Sequence, residues 1–249
     1  MKFFFGLDGS SVDRKIDYPY VLISAATLWG GKRFREMHTH ENVKEVFLDS
    51  GGFSFFYKTG EYPFSVGQYV SLIKKEEPQY AAVMDYPCES DVVRKGNLKT
   101  NRERIDKTIE NAIKCLEHEE INWVMVVQGY KGEEYLYSID RIKEQGIETD
   151  VMAIGSLCVR KKIDEARRII SLVRKNTKAK LHGFGIDFRF LKDTRIFNML
   201  YSADSQAWKW NNRAYSNAKG YLPKSQEQKL KNFKFYKERI ERLIREQHL

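Results

Sequence analysis

The sequence predicts a (β/α)8 barrel, the TIM-barrel form of the α/β class, and three observations carry that expectation. Eight short apolar runs, none longer than seven residues, recur along the chain without polar alternation, which is how strands buried on both faces of a parallel sheet read. Charge-rich segments with apolar residues at helical spacing lie between them. The 249 residues, 42% of them hydrophobic, can bury one large core and come close to the least that eight strand–helix units need.

The elements follow in order. The run FFFGL (3–7) precedes YVLISAA (20–26) by only DGSSVDRKID, too little for a comfortable helix. The first run is therefore either the opening barrel strand or a hairpin or lid strand beside it. VFLDS (46–50), AAVMDY (81–86), WVMVVQG (123–129), VMAIGS (151–156), KLHGFGI (180–186) and MLYSAD (199–204) supply the other strands. Among the helices, 101–118 places Ile105, Ile109, Ala112, Ile113 and Leu116 on one face, and 161–175 does so with Ile163, Ala166, Ile169, Ile170 and Val173. After Asp204 the chain reads as loop, punctuated by Gly220 and Pro223. A long amphipathic helix over 225–247 follows, with Leu230, Phe233, Tyr236, Ile240, Leu243 and Ile244 on one side and basic residues on the other. The expected organisation is a barrel domain over 1–208 and a basic helical extension over 209–249 packing on it.

Charge sharpens that division. The formal net charge is +9, and residues 209–249 hold eleven Lys or Arg against four Glu, which leaves the first 208 residues nearly neutral. A neutral body with a basic extension suits a polyanionic partner, and equally suits a solvated terminal helix. No apolar run approaches the roughly 20 residues that cross a bilayer, so no membrane partner is expected. Asp8 interrupts the N-terminal apolar run too early for a signal peptide, which points to the cytoplasm, or to the host cytoplasm if the chain is viral. Cys88, Cys115 and Cys158 lie far apart with no CxxC pair, arguing against a disulfide framework or a cysteine-rich zinc site.

In a parallel barrel the chemistry comes from the C-terminal ends of the strands. There the runs end in Asp49, Asp85, Gln128, the Gly155–Ser156 pair, Gly183 with Gly185, and Asp204. Any one Asp after a strand can serve as a helix N-cap. Their recurrence at successive strand ends instead describes a polar pocket of purine size. A guanine-like ring needs a carboxylate for its N1–H and N2–H2 donors, which Asp85 can supply, and donors for O6 and N7, which Gln128 and a backbone N–H near Gly155 or Ser156 can supply. Asp49 and Asp204 are then free for acid/base or nucleophilic work at a glycosidic carbon.

The order VFLDSGGF, AAVMDYP, VVQG, AIGSL, HGFG and SADSQAW, over roughly residues 45–208, resembles the tRNA-guanine transglycosylase superfamily of queuine tRNA-ribosyltransferase-like enzymes. That resemblance implies Asp204 as the nucleophile on C1′, Asp49 as the general acid/base, and Asp85, Gln128, Gly129, Gly155 and Ser156 as the base-binding set. The sequence departs from the tRNA enzymes in three places. No cysteine follows Cys158, so their zinc site is not expected; VQGY stands for VQGG; and IGSL stands for IGGL. A compact, zinc-free chain of this kind is most similar to the DpdA group of DNA guanine transglycosylases, known from phages and bacterial modification islands. That likeness implies DNA modification in which guanine is exchanged for a 7-deazaguanine base such as 7-cyano-7-deazaguanine, with no other cofactor. An ATP-driven helicase or other ATPase partner to open the duplex fits the same picture. A tRNA substrate, or a non-catalytic nucleic-acid-binding subunit of the same fold, are the alternative readings.

Lys95, Lys99 and Arg102 follow the Asp85 strand and are candidates for phosphate contacts. Trp208, Lys209 and Arg213, with Trp210, interleave aromatics and cations just past Asp204, a pattern suited to stacking an unpaired base, although one of the two Trp could instead cap the core. His38 and His40 have a spacing compatible with a metal but no identifiable partner, and read as a surface loop near the pocket.

Overall fold

A computed structural model of the chain describes residues 1–95, 97–209 and 225–247. Eight parallel strands close into a barrel in sequence order: β1 (Lys2–Gly6), β2 (Tyr20–Ser24), β3 (Glu45–Asp49), β4 (Tyr80–Ala82), β5 (Trp123–Val127), β6 (Val151–Ile154), β7 (Lys180–Gly183) and β8 (Ser202–Ser205). The described helices are α1 (Ala25–Leu28), α2 (Gly52–Lys58), α3 (Val66–Glu76), α4 (Ser90–Lys95), α5 (Asn101–Leu116), α6 (Gly132–Glu144), α7 (Ile163–Asn176), α8 (Phe188–Leu191), α9 (Thr194–Met199) and α10 (Gln226–Glu246). The TIM-barrel class expected from sequence is the fold observed.

The open question over the first run is settled in favour of a barrel strand. β1 pairs with β8 (Phe4 opposite Asp204) and with β2 (Phe5 opposite Val21). Its three phenylalanines show why such strands lack alternation. Phe4 points into the barrel against Phe47 and His182, at ring separations of 5.8 and 6.0 Å. Phe5 points outward onto Phe233 of α10 at 5.0 Å, and Phe3 meets Tyr236 at 6.1 Å. Both faces are covered, so every position favours an apolar side chain.

Helix starts follow local chemistry. Ser65 caps α3 and Thr100 caps α5, each in a reciprocal box with Gln68 and Glu103 respectively. Two residues assigned to buried faces from periodicity lie outside instead: Ile113 is 41% and Ile163 39% exposed, because each sits on the solvent side of its helix.

The C-terminal helix is apolar where expected and structurally committed. Phe233, Tyr236, Ile240 and Leu243 are buried, and the Tyr236 hydroxyl accepts from the Phe188 amide at 3.0 Å. Of its cations, Lys229 reaches the barrel at Asp8, while Lys231, Lys237 and Arg242 pair along the helix itself with Glu227, Glu241 and Glu246. Among the described residues no helix is long and apolar enough to cross a membrane.

Candidate active site

At the C-terminal rim the strand ends surround a cavity of about 590 Å³, lined by Ser24, Asp49, Asp85, Gln128, Ser156 and Asp204 among others. A larger cleft of about 860 Å³ lies at the opposite end, between α6 and α7, where surface Lys143, Lys175 and Lys178 diverge around it. The rim cavity is the one in which polar groups converge.

The DSGG stretch is shaped by close approach. Gly51 has φ of 81°, and a Cβ there would lie 2.7 Å from the Ala26 amide; one on Gly52 would lie 2.8 Å from the Asp85 carbonyl. The tight turn lets the Gly51 amide donate to Asp49 Oδ2 at 3.1 Å, while Ser24, opposite Asp49 in the β2–β3 register, holds the same carboxyl. Burial, reinforced by the Asp85 and Asp204 charges, pushes the Asp49 carboxyl up to about 7. It retains some surface, facing the cavity. A carboxyl titrating there can both give and take a proton near neutrality.

Asp85 sits past the short β4, with burial raising its pKa. Its Oδ1 accepts from Ser50 Oγ at 2.6 Å, and its Oδ2 accepts from Gln128 Nε2. Gln128 Oε1 in turn accepts from Ser156 Oγ at 3.1 Å. A hydrogen-bonded chain, Ser50–Asp85–Gln128–Ser156, thus crosses the ends of β3 to β6. Gly155 makes room for it: a Cβ there would fall 2.4 Å from the Gln128 carboxamide carbon. Its amide donates to Val127 O at 3.0 Å and is committed to the barrel, so of the two amides considered for O6 only that of Ser156 is a candidate. Ser156 itself takes a left-handed φ of 58°.

Asp204 lies inside β8, where its Oδ1 accepts from the Gly185 amide at 2.9 Å and faces His182 Nε2 at 3.3 Å. His182 Nδ1 is 2.9 Å from Ser202 Oγ. An ionised carboxylate only accepts, so opposite an Asp204 carboxylate Nε2 carries the hydrogen and Nδ1 accepts from Ser202. His182 is fully buried among Phe4, Phe47 and Phe184, which fixes its ring.

Several residues expected at the site stand elsewhere. Gly129 does not line the cavity; a Cβ there would meet the Tyr135 amide at 2.8 Å, so this glycine serves the packing of α6. Trp208 is no stacking platform: it is 1% exposed, donates from Nε1 to Gly6 O at 3.0 Å and packs edge-on against Phe233. Lys209 is likewise buried, near Asp8 and Asp13, and burial lowers its pKa to about 8. Both are drawn inward because α10 closes over β1. Arg213 and Trp210 lie outside the described residues. Lys95, Lys99 and Arg102 are exposed; Lys95 sits 4.0 Å over the Tyr57 ring and Arg102 4.7 Å over Tyr137. His38 is exposed on the 30–44 loop and His40 faces Asp17; neither lines the cavity. Among the described residues no group of three His, Cys, Asp or Glu could hold a metal ion.

The geometry also brings in residues that sequence reasoning passed over: Ser24, Ser50, His182, Phe53 and Glu89. Phe53 lines the cavity, is 41% exposed and lies parallel to Tyr57 one helical turn on, with centroids 6.1 Å apart. Its place directly after DSGG was the available signal. Glu89 lines the same cavity while only 4% exposed, and no pattern in DYPCE marks it.

A family model described as DpdA, DeoxyPurine in DNA protein A, matches residues 14–247. No curated protein matches the chain.

Proposed function

The chain belongs to the DpdA family and is thereby a DNA guanine transglycosylase, and from that premise we propose which residues perform the exchange. The observation that carries the reading is the division of the cavity: a hydrogen-bonded base-reading edge (Asp85, Gln128, Ser156) flanked by two further carboxylates, Asp49 and Asp204. Asp85 accepts from the N1–H and N2–H2 edge of guanine, while Gln128 and the Ser156 amide donate to the O6 and N7 edge.

Asp204, held by Gly185 and His182, attacks C1′ of the flipped deoxyguanosine. A new C1′–O bond forms as the C1′–N9 bond breaks, its electron pair staying on the base, and Asp49 delivers the proton that neutralises the departing guanine. The incoming 7-deazaguanine base, of which 7-cyano-7-deazaguanine is the example, then loses its N9 proton to Asp49. N9 attacks C1′ and releases the Asp204 carboxylate, so two inversions retain the configuration. Protonated once and deprotonated once, Asp49 returns to its starting state, as a group poised near neutrality can.

The target nucleotide must leave its stack. Exposed Lys95, Lys99 and Arg102 lie on the side of the rim that follows Asp85 and would take the phosphates, and a helicase or ATPase partner would open the duplex where the enzyme alone does not. On this reading residues 1–208 form the catalytic barrel and 209–249 the basic extension, of which α10 packs on the barrel.

Release of labelled guanine from DNA, with and without 7-cyano-7-deazaguanine, tests the assignment. Asp204→Ala should abolish release and Asp49→Asn should block turnover; full activity in Asp204→Ala would falsify the mechanism. The same assay on tRNA decides between polymers.

A further inference from the structure

Of the two cavity-lining carboxyls that the exchange above leaves unused, Asp187 caps α8 and pairs with Arg189, and Glu89 is the buried one. It is 4% exposed, and its Oε2 is buried with no hydrogen-bond partner. Its carboxyl neighbours the Ser156 hydroxyl, beyond the end of the Ser50–Asp85–Gln128–Ser156 chain. The backbone fixes it there, because the Glu89 carbonyl accepts from both Val92 and Val93 at the start of α4. An unsatisfied buried oxygen costs free energy unless a ligand meets it.

Resting on the base orientation just proposed, we infer that Glu89 is a specificity residue that donates a hydrogen bond to an acceptor group on the 7-position of the incoming base. With O6 read by Gln128 and the Ser156 amide, position 7, which is N7 in guanine and a substituted carbon in the 7-deaza base, projects past Ser156, toward Glu89. The chemistry it accepts follows from the protonation state of the acid. Burial, with the Asp85 charge adding and Arg104 opposing, pushes the carboxyl up to about 7. The groups facing it are Asp85, Cys88, Arg104 of α5, Tyr135 of α6 and Cys158 after β6, and none of them forms an ion pair with it. Below neutrality Glu89 is therefore a neutral acid with a hydrogen to give, matched to a nitrile nitrogen or a carbonyl oxygen and mismatched to an ammonium-bearing arm.

Dissociation constants of three free bases separate this from a passive role: 7-cyano-7-deazaguanine, unsubstituted 7-deazaguanine and 7-aminomethyl-7-deazaguanine. The wild type should bind the cyano base about tenfold more tightly than the unsubstituted one at pH 6. That ratio should fall as pH rises through about 7, with binding of the aminomethyl base gaining over the same interval. Taking ratios removes effects of Asp49 that all three bases share. Glu89→Leu should bring the ratio close to one, whereas Glu89→Gln, whose amide donates at every pH, should keep the cyano preference and lose its pH dependence. A ratio unchanged in Glu89→Leu, a pH-independent wild-type ratio, or preference for the aminomethyl base at pH 6 would each overturn the inference. Selective binding without guanine release from DNA would sink the exchange mechanism and leave this inference standing; release with an unselective pocket would do the reverse.

Discussion

Asp49→Asn should stabilise the protein while destroying its activity, and the gain should depend on pH in a calculable way. The carboxyl rises from an ordinary 3.8 to about 7 because burial and the Asp85 and Asp204 charges disfavour its ionised form. A raised folded-state pKa means the folded chain binds the proton more tightly than the unfolded chain. The linked stability is therefore fully present below about pH 4 and lost as pH rises to about 7, with no further loss above. At about 1.4 kcal/mol per unit the loss has an upper limit of about 4 kcal/mol at pH 8. Asp49 faces cavity water, which screens the charge, so we expect about half of that, about 2 kcal/mol. Asparagine keeps the shape and never ionises, so it escapes the loss. Urea denaturation of wild type and variant should show Asp49→Asn more stable by about 2 kcal/mol at pH 8, a melting shift of roughly 4–8 °C, shrinking to under about 1 kcal/mol at pH 5. Equal stability at pH 8, or a gain of the same size at both pH values, would show that Asp49 is not held against its charge and would remove the physical basis for its acid/base role.

Other outcomes follow from the same geometry. Trp208→Ala should cost about 3–5 kcal/mol of stability, seen by melting, because it empties a buried site beneath α10; a DNA-affinity loss with an unchanged melting temperature would return Trp208 to the surface role its neighbours in sequence suggest. Gly155→Ala puts a methyl 2.4 Å from the Gln128 carboxamide and should weaken free-base binding at least about tenfold, measured by calorimetry. Lys95→Ala should lower DNA affinity a few-fold and reduce the slope of log K against log salt by about one, if Lys95 meets a phosphate; an unchanged slope removes it from the contact set.

How much of this was legible in the sequence depended on the range of the interaction. Asp49, Asp85, Gln128 and Asp204 each end an apolar run, and strand periodicity alone carries them to the same rim. Gly51 and Gly52 could be read as a turn, although their tight approach to Ala26 and Asp85 appears only in three dimensions. Trp208 was misleading because its hydrogen-bond partner, Gly6, lies 202 positions away, so its neighbours Lys209 and Trp210 suggested a surface that closure of the barrel does not leave. His182 was hidden inside an HGFG stretch that drew notice for its glycines. Glu89 had no periodic or motif context at all: it matters through one buried carboxyl oxygen left without a partner, a property of packing and not of sequence. Truncation ahead of α10, an attractive way to probe the basic extension when seen as sequence, would uncover Phe3 and Phe5 and perturb the fold before it reported on binding.

The pairing of β1 with β8 also sets a timetable for synthesis. The first strand to leave the ribosome has one edge that stays open until residues 202–205 have been made, and its outer face stays bare until α10 follows. At translation speeds of about 5–20 residues per second, that interval is on the order of 10–40 s. Throughout it, three consecutive phenylalanines wait beside an unpaired edge, the kind of segment that recruits other chains. Lys2 in front and Asp8 just behind flank that segment with charge, the pattern that opposes such recruitment. In the finished barrel Lys2 is tied to Glu45 of β3 and Asp8 to Lys229 of α10, so only the Asp8 pair waits for the C-terminal helix.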